Sequence, residues 1–185
     1  VTFTNKAAGE MKERVASIIK NSPSLKRPVS DDALPFVATF HSLGAYIIKE
    51  NAHEVGLKKH FSILNRDESK RAIKESMAKY GYDPKEFEPG KILSIISREK
   101  GNFVNAEEYM NSDASLEYFG EIVSKVWRGY EEILKKENSL DFDDLILVAA
   151  KLLKKEHIKN YYAKKWKYIH IDEYQDTNKV QYEII

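Results

Sequence analysis

Two neighbouring carboxylates directly follow an apolar stretch near the end of the sequence. The stretch runs from Tyr168 to Ile171, and Asp172 and Glu173 come next. Such a stretch is typical of a β-strand, and acids that follow a parallel strand lie where α/β proteins bind ligands. One carboxylate there can hold Mg²⁺ beside nucleotide phosphates, and the other can activate an attacking water. The alternative for these acids is a solvated turn after a strand.

The elements that would position those acids lie at the two ends of the chain. Val1 to Thr4 and Phe36 to Thr39 are short runs typical of strands, like Tyr168 to Ile171. Thr4 and Asn5 can cap a first helix. Its apolar side chains recur with a spacing near 3.6, and we expect them to lie in the core: Ala8, Met11, Val15, Ile18 and Ile19. Residues 21–35 contain three prolines and are predicted to form a loop.

The middle of the chain, about residues 51–139, has only helical periodicity. Helices are predicted over residues 42–51, 67–79, 91–99, 115–137 and 142–155. The longest of them is expected to bury one face: Leu116, Phe119, Val123, Val126, Tyr130 and Leu134. Strand signals at both ends around a helical block predict a predominantly helical α/β fold, in which an all-α segment interrupts an α/β domain.

The composition of the sequence limits which partners and which cellular compartment are expected. The 30 Lys and Arg residues nearly balance 29 Asp and Glu residues, so bulk charge gives no attraction for nucleic acid and any contact must come from local grooves. The sequence has no cysteine, which excludes disulfides and thiolate zinc sites and fits a reducing, cytoplasmic location. No apolar run is long enough to predict a membrane span.

Four segments resemble motifs of the UvrD/PcrA/Rep branch of the superfamily 1 helicases. Asp172 to Asn178 reads Asp-Glu-Tyr-Gln-Asp-Thr-Asn and resembles motif II, whereas Thr2 to Ala8 reads Thr-Phe-Thr-Asn-Lys-Ala-Ala and resembles motif Ia. Thr39 to Leu43 resembles motif Ib, and Leu140 to Ile146 resembles the segment that re-enters the first motor domain. The four occur in the family's order, so the resemblance covers essentially the whole chain.

This resemblance implies both a fold and an activity. The fold would be a partial RecA-like P-loop NTPase domain with an inserted all-α subdomain. Residues 1–50 would form its first part, residues 51–140 the insertion and residues 141–185 the return. The activity would be that of an ATP-dependent DNA helicase that translocates on single-stranded DNA, usually 3′ to 5′, and unwinds duplex DNA in repair or replication. ATP and Mg²⁺ are the implied cofactors.

Four residues of the acidic motif receive nucleotide-site roles from the resemblance. Asp172 is implied to hold Mg²⁺ and Glu173 to be the catalytic base. Gln175 and Asp176 are implied to link the nucleotide site to neighbouring motifs.

Four residues near the start of the chain are implied to contact DNA: Phe3, Asn5, Thr39 and His41. Aromatic faces stack on any base, and hydroxyl or amide groups hold phosphates without reading sequence. The alternatives are that Phe3 is core packing in a strand and that His41 caps a helix or lies in the core.

The ends of the sequence and its missing motif predict a piece of a longer protein. The chain has no initiator Met and stops within a helical pattern, and Gly-x-x-x-x-Gly-Lys-Ser/Thr does not occur in it. We expect the chain alone not to hydrolyse ATP, and a cut sheet edge at residues 168–171 to promote self-association. The alternatives are the helicase part of an AddA/RecB-like helicase–nuclease and a non-catalytic module that binds DNA or a partner.

Overall fold

The computed structural model describes residues 1–22 and 34–185, and this part of the chain is predominantly helical. The predicted loop over residues 21–35 falls largely outside it. The helices are α1 (Asn5–Lys20), α2 (Phe40–Glu50), α3 (Arg66–Lys79), α4 (Pro89–Gly101), α5 (Ala106–Met110), α6 (Tyr118–Lys136), α7 (Asp144–Leu153), α8 (Glu156–Lys165) and α9 (Lys179–Tyr182). The described residues also form two short strands, β1 (Ser62–Ile63) and β2 (Ser139–Leu140), and three 3₁₀ turns at Ala52–Val55, Asp113–Ser115 and Tyr174–Asp176. The predicted predominance of helix is confirmed.

Side-chain caps fix where several helices begin. The Thr4 hydroxyl accepts a hydrogen bond from the Ala7 N–H and caps α1, which confirms the predicted cap. Thr39 caps α2 in the same way through the Ser42 N–H. Three further helices begin at an asparagine that exchanges hydrogen bonds with a Glu or Gln three residues later: Asn65, Asn105 and Asn178.

The helices pack around two hydrophobic cores. The first is built mainly from α2, α7, α8 and α9, and its residues come from positions 40–48 and 140–184. The second is built from α3, α4, α5 and α6, with residues from positions 64–134 and with Trp127 and Tyr130 fully buried. The predicted buried face of the long helix is confirmed for Val123, Val126, Tyr130 and Leu134.

A short parallel sheet lies at the two borders of the helical middle. Ser62 pairs with Ser139, and Ile63 pairs with Leu140. The prediction that residues 51–139 contain only helix is therefore wrong at β1. Two residues are too few to show the period of a strand, and only the pairing with β2, distant in sequence, makes this segment extended.

Three extended segments meet at Val1 and Thr2. The Thr2 N–H donates to the Ala38 carbonyl at 3.1 Å, and the Phe40 N–H donates to the Thr2 carbonyl at 3.3 Å. On the other side, the Val1 nitrogen donates to the His170 carbonyl at 2.6 Å, and the Asp172 N–H donates to the Val1 carbonyl at 3.0 Å. Residues 1–2 thus lie between the other two segments.

The strands predicted over residues 36–39 and 168–171 do not form as such. The first contributes only the single parallel bridge between Thr2 and Thr39, and the second forms no assigned strand. Each segment pairs with a single residue of the central one: Ala38 and Phe40 bond to Thr2, and His170 and Asp172 bond to Val1. A strand needs a ladder of consecutive pairs, and one paired residue on each side does not make a ladder.

Two apolar positions lie in solvent against expectation. Ile18 is 69% exposed and α1 buries no residue, so the predicted core role of its apolar face is wrong. Leu116 is 80% exposed because it precedes α6, which begins only at Tyr118. Periodicity identifies the apolar face of a helix, but it does not show whether another element covers that face.

Gly44 allows α2 and α7 to approach each other closely. A Cβ added at Gly44 would lie 2.1 Å from the Leu145 carbonyl oxygen, which is a backbone atom and cannot rotate away. We expect Gly44→Ala to lower the free energy of unfolding by about 1–3 kcal/mol, measured by urea unfolding.

Gly9→Ala is the matched control, because Gly9 is also helical and an added Cβ would meet nothing within 4 Å. It should raise the free energy of unfolding by up to about 1 kcal/mol through helix propensity. Equal effects of the two variants would show that α2 and α7 do not depend on this close approach.

Candidate functional site

The four residues predicted to contact DNA line a single open pocket. Its wall contains Phe3, Asn5, Thr39 and His41. The remaining lining residues are Ser42, Ala45, Ile63, Phe142 and Leu145. The structure thus brings the predicted four together, although Phe3 and His41 are 38 positions apart in the sequence.

Three elements begin or end at this pocket and position its side chains. Phe3 ends the first extended segment and Asn5 begins α1, whereas Thr39 and His41 stand at the start of α2. The half-buried Phe3 ring packs on Phe40, with 5.4 Å between ring centroids. Phe3 therefore contributes to the first core and to the pocket wall at the same time.

The Thr39 hydroxyl is engaged within α2. It accepts the Ser42 N–H at 3.1 Å and donates to the Ser42 hydroxyl oxygen at 3.0 Å, and Thr39 itself is buried. This cap sets the direction in which α2 starts and hence the position of His41. Asn5, by contrast, is exposed at the start of α1.

His41 stacks on an aromatic ring that the sequence did not single out. The His41 and Phe142 ring centroids lie 3.7 Å apart with an interplanar angle of 21°. Burial of His41 lowers the pKa of its imidazole to about 4, so the ring is neutral near pH 7. Phe142 is 55% exposed and presents a free aromatic surface beside His41.

Phe142 was predicted to begin a helix over residues 142–155, but it lies in the turn before α7. As part of a helix it would have been one apolar residue among several. Its position next to two aspartates, Asp141 and Asp143, is the only local signal that this aromatic residue belongs to a turn.

The two predicted nucleotide-site acids lie beside the same extended segments. Asp172 is exposed, its backbone N–H is held by Val1, and its Oδ2 lies 3.5 Å from the Thr2 hydroxyl, which donates to it. Glu173 has φ 49° and ψ 45°, a left-handed conformation that is uncommon for a residue with a side chain. The backbone therefore turns sharply between the two carboxylates.

Gln175 and Asp176 lie in the short 3₁₀ turn that follows. The Gln175 side-chain amide donates to the Glu173 carboxylate, and the Asp176 N–H donates to the Glu173 carbonyl at 2.9 Å. Both residues are exposed. The contacts of these two residues thus orient Glu173 rather than reach a distant element.

The acidic turn carries oxygen donors of the kind that Mg²⁺ prefers. In residues 1–22 and 34–185, no group of three or more His, Asp or Glu side chains is arranged to hold a metal ion. Mg²⁺ is commonly held by one or two carboxylates, with waters and substrate phosphates completing its octahedron. The exposed carboxylates of Asp172 and Glu173 have the oxygen donors and the open surroundings that such a site requires.

Thr2 connects the pocket to the acidic turn. It is buried, its backbone pairs with Ala38 and Phe40, and its hydroxyl contacts Asp172. The next residue is Phe3 in the pocket wall. A single short segment therefore carries an aromatic group of the pocket and holds a predicted metal ligand.

Comparison with known proteins gives one consistent family. All of residues 1–185 match the family model of the UvrD/REP helicase N-terminal domain. The chain is 40% identical over 186 aligned positions to the ATP-dependent DNA helicase PcrA of Bacillus subtilis (strain 168). It is 34% identical to the PcrA helicases of Staphylococcus aureus and Staphylococcus epidermidis. Each alignment covers 100% of this chain and 24% of the relative, so the chain spans about a quarter of the length of the curated relatives it matches.

The lowered pKa of His41 predicts a dependence of stability on pH. The folded state takes up the proton only near pH 4, whereas an unfolded histidine takes it up near pH 6.5. The unfolded state therefore binds more protons in this window, and the free energy of unfolding should fall as the pH falls from 6.5 towards 4. His41→Phe keeps an aromatic ring against Phe142 but cannot titrate, so it should lose this part of the pH dependence. Urea unfolding across the window measures it, and parallel pH profiles of the two proteins would contradict the assignment.

Proposed function

The chain belongs to the UvrD/REP helicase N-terminal domain family, and from this premise we propose that it forms the part of an ATP-dependent DNA helicase that grips single-stranded DNA beside the Mg²⁺–nucleotide site. The observation that carries the proposal is that the segment of Val1 and Thr2 is hydrogen-bonded to residues 38–40 on one side and to residues 170–172 on the other. This segment lies between the pocket of Phe3, Asn5 and His41 and the carboxylate of Asp172.

The pocket has the chemistry to hold a single strand without reading its sequence. The exposed ring of Phe142 and the neutral ring of His41 offer aromatic faces for bases, and such stacking tolerates every base. Both α1 and α2 begin at the pocket, through Asn5 and Thr39, and a helix N-terminus attracts phosphate. These partial charges supply the local attraction that the balanced net charge of +1 does not.

At the acidic turn, Asp172 would hold Mg²⁺ and Glu173 would accept the proton of the attacking water. The bound metal supplies neutralisation of charge on the nucleotide phosphates. Thr2 orients the Asp172 carboxylate, and Gln175 fixes the Glu173 carboxylate through a hydrogen bond. Asp176 stabilises the turn through its N–H, and its exposed carboxylate would link the nucleotide site to neighbouring motifs.

We further propose that this chain divides into a RecA-like motor part and an inserted all-α subdomain. Residues 1–50 and 141–185 would form the motor part, and residues 51–140 the insertion. The origin of the two cores supports this division, because the first draws on positions 40–48 and 140–184 and the second on positions 64–134. Translocation from 3′ to 5′, unwinding of duplex DNA in repair or replication and a cytoplasmic location complete the proposal.

The proposed ATP hydrolysis needs groups that this sequence does not contain. Phosphate binding in this class uses Gly-x-x-x-x-Gly-Lys-Ser/Thr, and these 185 residues have no such string. We therefore propose that the 185-residue chain alone is inactive as an ATPase. The two alternatives remain the helicase part of an AddA/RecB-like helicase–nuclease and a non-catalytic DNA-binding or partner-binding module. The similarity to PcrA helicases supports the UvrD/PcrA type over the former.

Removing the aromatic rings of the pocket should weaken binding of single-stranded DNA. We expect Phe3→Ala, His41→Ala and Phe142→Ala each to cost about 1–3 kcal/mol of binding free energy, equally for oligo(dT) and for mixed sequences. Fluorescence anisotropy with labelled oligonucleotides measures the loss. Tyr118→Ala is the matched control, because Tyr118 is an exposed aromatic residue outside the pocket. Unchanged affinity for all three pocket variants would show that these rings serve packing and do not bind DNA.

Substitutions of Asp172 and Glu173 should have different effects in a protein that carries this chain together with a phosphate-binding loop. Glu173→Gln should lower ATP hydrolysis by orders of magnitude and retain nucleotide binding, because the amide cannot accept the proton. Asp172→Asn should also weaken Mg²⁺-dependent nucleotide binding. Steady-state hydrolysis and binding of a fluorescent nucleotide distinguish them, with the 185-residue chain as the inactive control. Equal loss of binding in both variants would refute this division of roles.

We also propose that the 185-residue chain associates with a second copy through residues 168–171. The Ile169 and Ile171 N–H groups donate to no backbone carbonyl in the described part of the chain, and Ile169, Tyr174 and Tyr182 are exposed beside them. Sedimentation over a wide concentration range should show a dimer, and Ile169→Lys should shift it to monomer. A monomer at every concentration, with slow exchange of the Ile169 amide, would exclude this edge as the contact.

A further inference from the structure

A buried lysine of the second core lies under the turn that carries Phe142. Lys100 is the penultimate residue of α4 and is 1% exposed. Its Nζ lies 2.7 Å from Asp144 Oδ1, 2.8 Å from Asp141 Oδ2 and 3.2 Å from Glu131 Oε1. An ammonium group so deeply buried is stable only with such partners, so its position is fixed.

The two buried aspartates close the turn around Phe142. The Asp144 N–H donates to Asp141 Oδ1 at 2.8 Å, and the Asp141 N–H donates to Asp144 Oδ2 at 3.2 Å. The remaining oxygen of each carboxylate faces Lys100. The Tyr130 hydroxyl adds a hydrogen bond to Asp141 Oδ2 at 3.0 Å. Lys100 therefore holds both ends of a tight turn and leaves little freedom to the backbone between them.

Phe142 projects from this turn onto His41. The contact between the two rings crosses from the turn to the start of α2, and both rings line the proposed DNA pocket. More than half of the Phe142 side chain is exposed, so core packing does not hold the ring in place. Its orientation depends on the backbone of the turn, and that backbone depends on Asp141 and Asp144.

We propose that Lys100 is a positioning residue for single-stranded DNA: by clamping Asp141 and Asp144, it holds Phe142 against His41 in the geometry that accepts a base. This inference rests on the proposed function of the pocket. It makes a residue of the helical second core, which does not touch the pocket, a determinant of DNA affinity. The clamp joins α4, and hence the second core, to the DNA-contacting turn.

The test combines DNA affinity with an NMR readout of His41 in the 185-residue chain. Lys100→Met should lower the affinity for labelled oligo(dT) about tenfold, the share of one stacked base. It should also shift the His41 ring proton resonances, because the Phe142 ring no longer shields them. In a Phe142→Ala background, Lys100→Met should cause no further loss of affinity, since the lysine acts through that ring.

Two control variants separate positioning from general stability. Ile96→Ala removes a fully buried apolar side chain from the same helix and leaves every ion pair and hydrogen bond of the clamp in place, so it should lower stability but leave oligo(dT) affinity and the His41 resonances unchanged. Glu131→Gln changes the third carboxylate, which does not belong to the turn, and should leave both readouts unchanged. Equal losses of affinity for Lys100→Met and Ile96→Ala would overturn the proposal.

Asp144→Ala decides the question if Lys100→Met does not fold. This variant keeps a charge-balanced pair of Lys100 and Asp141 but opens the turn, so it should reproduce both the tenfold loss and the His41 shift. Full affinity with unchanged His41 resonances would refute the inference.

Failure of the inference and failure of the proposed function give different results. If Phe142→Ala and His41→Ala both bind oligo(dT) normally, the proposed function of the pocket fails. If those variants bind weakly while Lys100→Met binds normally, only the positioning role of Lys100 fails.

Discussion

The ion-pair cluster of Lys100 joins the two cores, because it connects α4 of the second core to the turn before α7 of the first. Burial opposes ionisation of Lys100, but Asp144, Asp141 and Glu131 outweigh burial and raise its pKa well above the usual value. Burial raises the pKa of Asp144 to about 8, and Lys100 offsets this only in part. Burial also acts against ionisation of Asp141, yet Lys100 outweighs it and lowers that pKa. Lys100 thus depends on the carboxylates beside it, because an ammonium group left alone in the interior is far less stable than a buried pair.

Local sequence patterns predict those parts of this molecule that depend on neighbours in the chain. The cap at Thr4 and the buried face of α6 follow from residues within one or two helical turns. The four DNA-site residues also fall in two short strings, and the structure places them in one pocket. Whether they contact DNA remains a prediction. That they lie close together could be expected from the two motif-like segments alone.

Features that depend on distant residues were missed. Lys100 stands between Glu99 and Gly101 and has the local pattern of a solvated charge, because its partners Asp141 and Asp144 lie more than forty positions away. The exposure of Ile18 was missed for the same reason, since only the rest of a fold decides what covers α1. The pairing of β1 with β2 likewise joins positions 62–63 to 139–140. No window of sequence contains both members of these contacts.

The balanced charge of the chain makes geometry the main determinant of its proposed DNA contact. A basic surface attracts phosphates over a Debye length and tolerates small displacements, whereas stacking requires a ring at the correct distance and angle. With a net charge of +1, the proposed contact would rest mainly on the second kind, helped by the partial charges at the starts of α1 and α2. The His41–Phe142 stack at 3.7 Å therefore needs a rigid support on each side. The Thr39 cap and the close approach of α2 to α7 at Gly44 provide one, and the Lys100 clamp provides the other. On this proposal, a binding site that relies on shape rather than charge explains why a costly buried lysine lies beneath it.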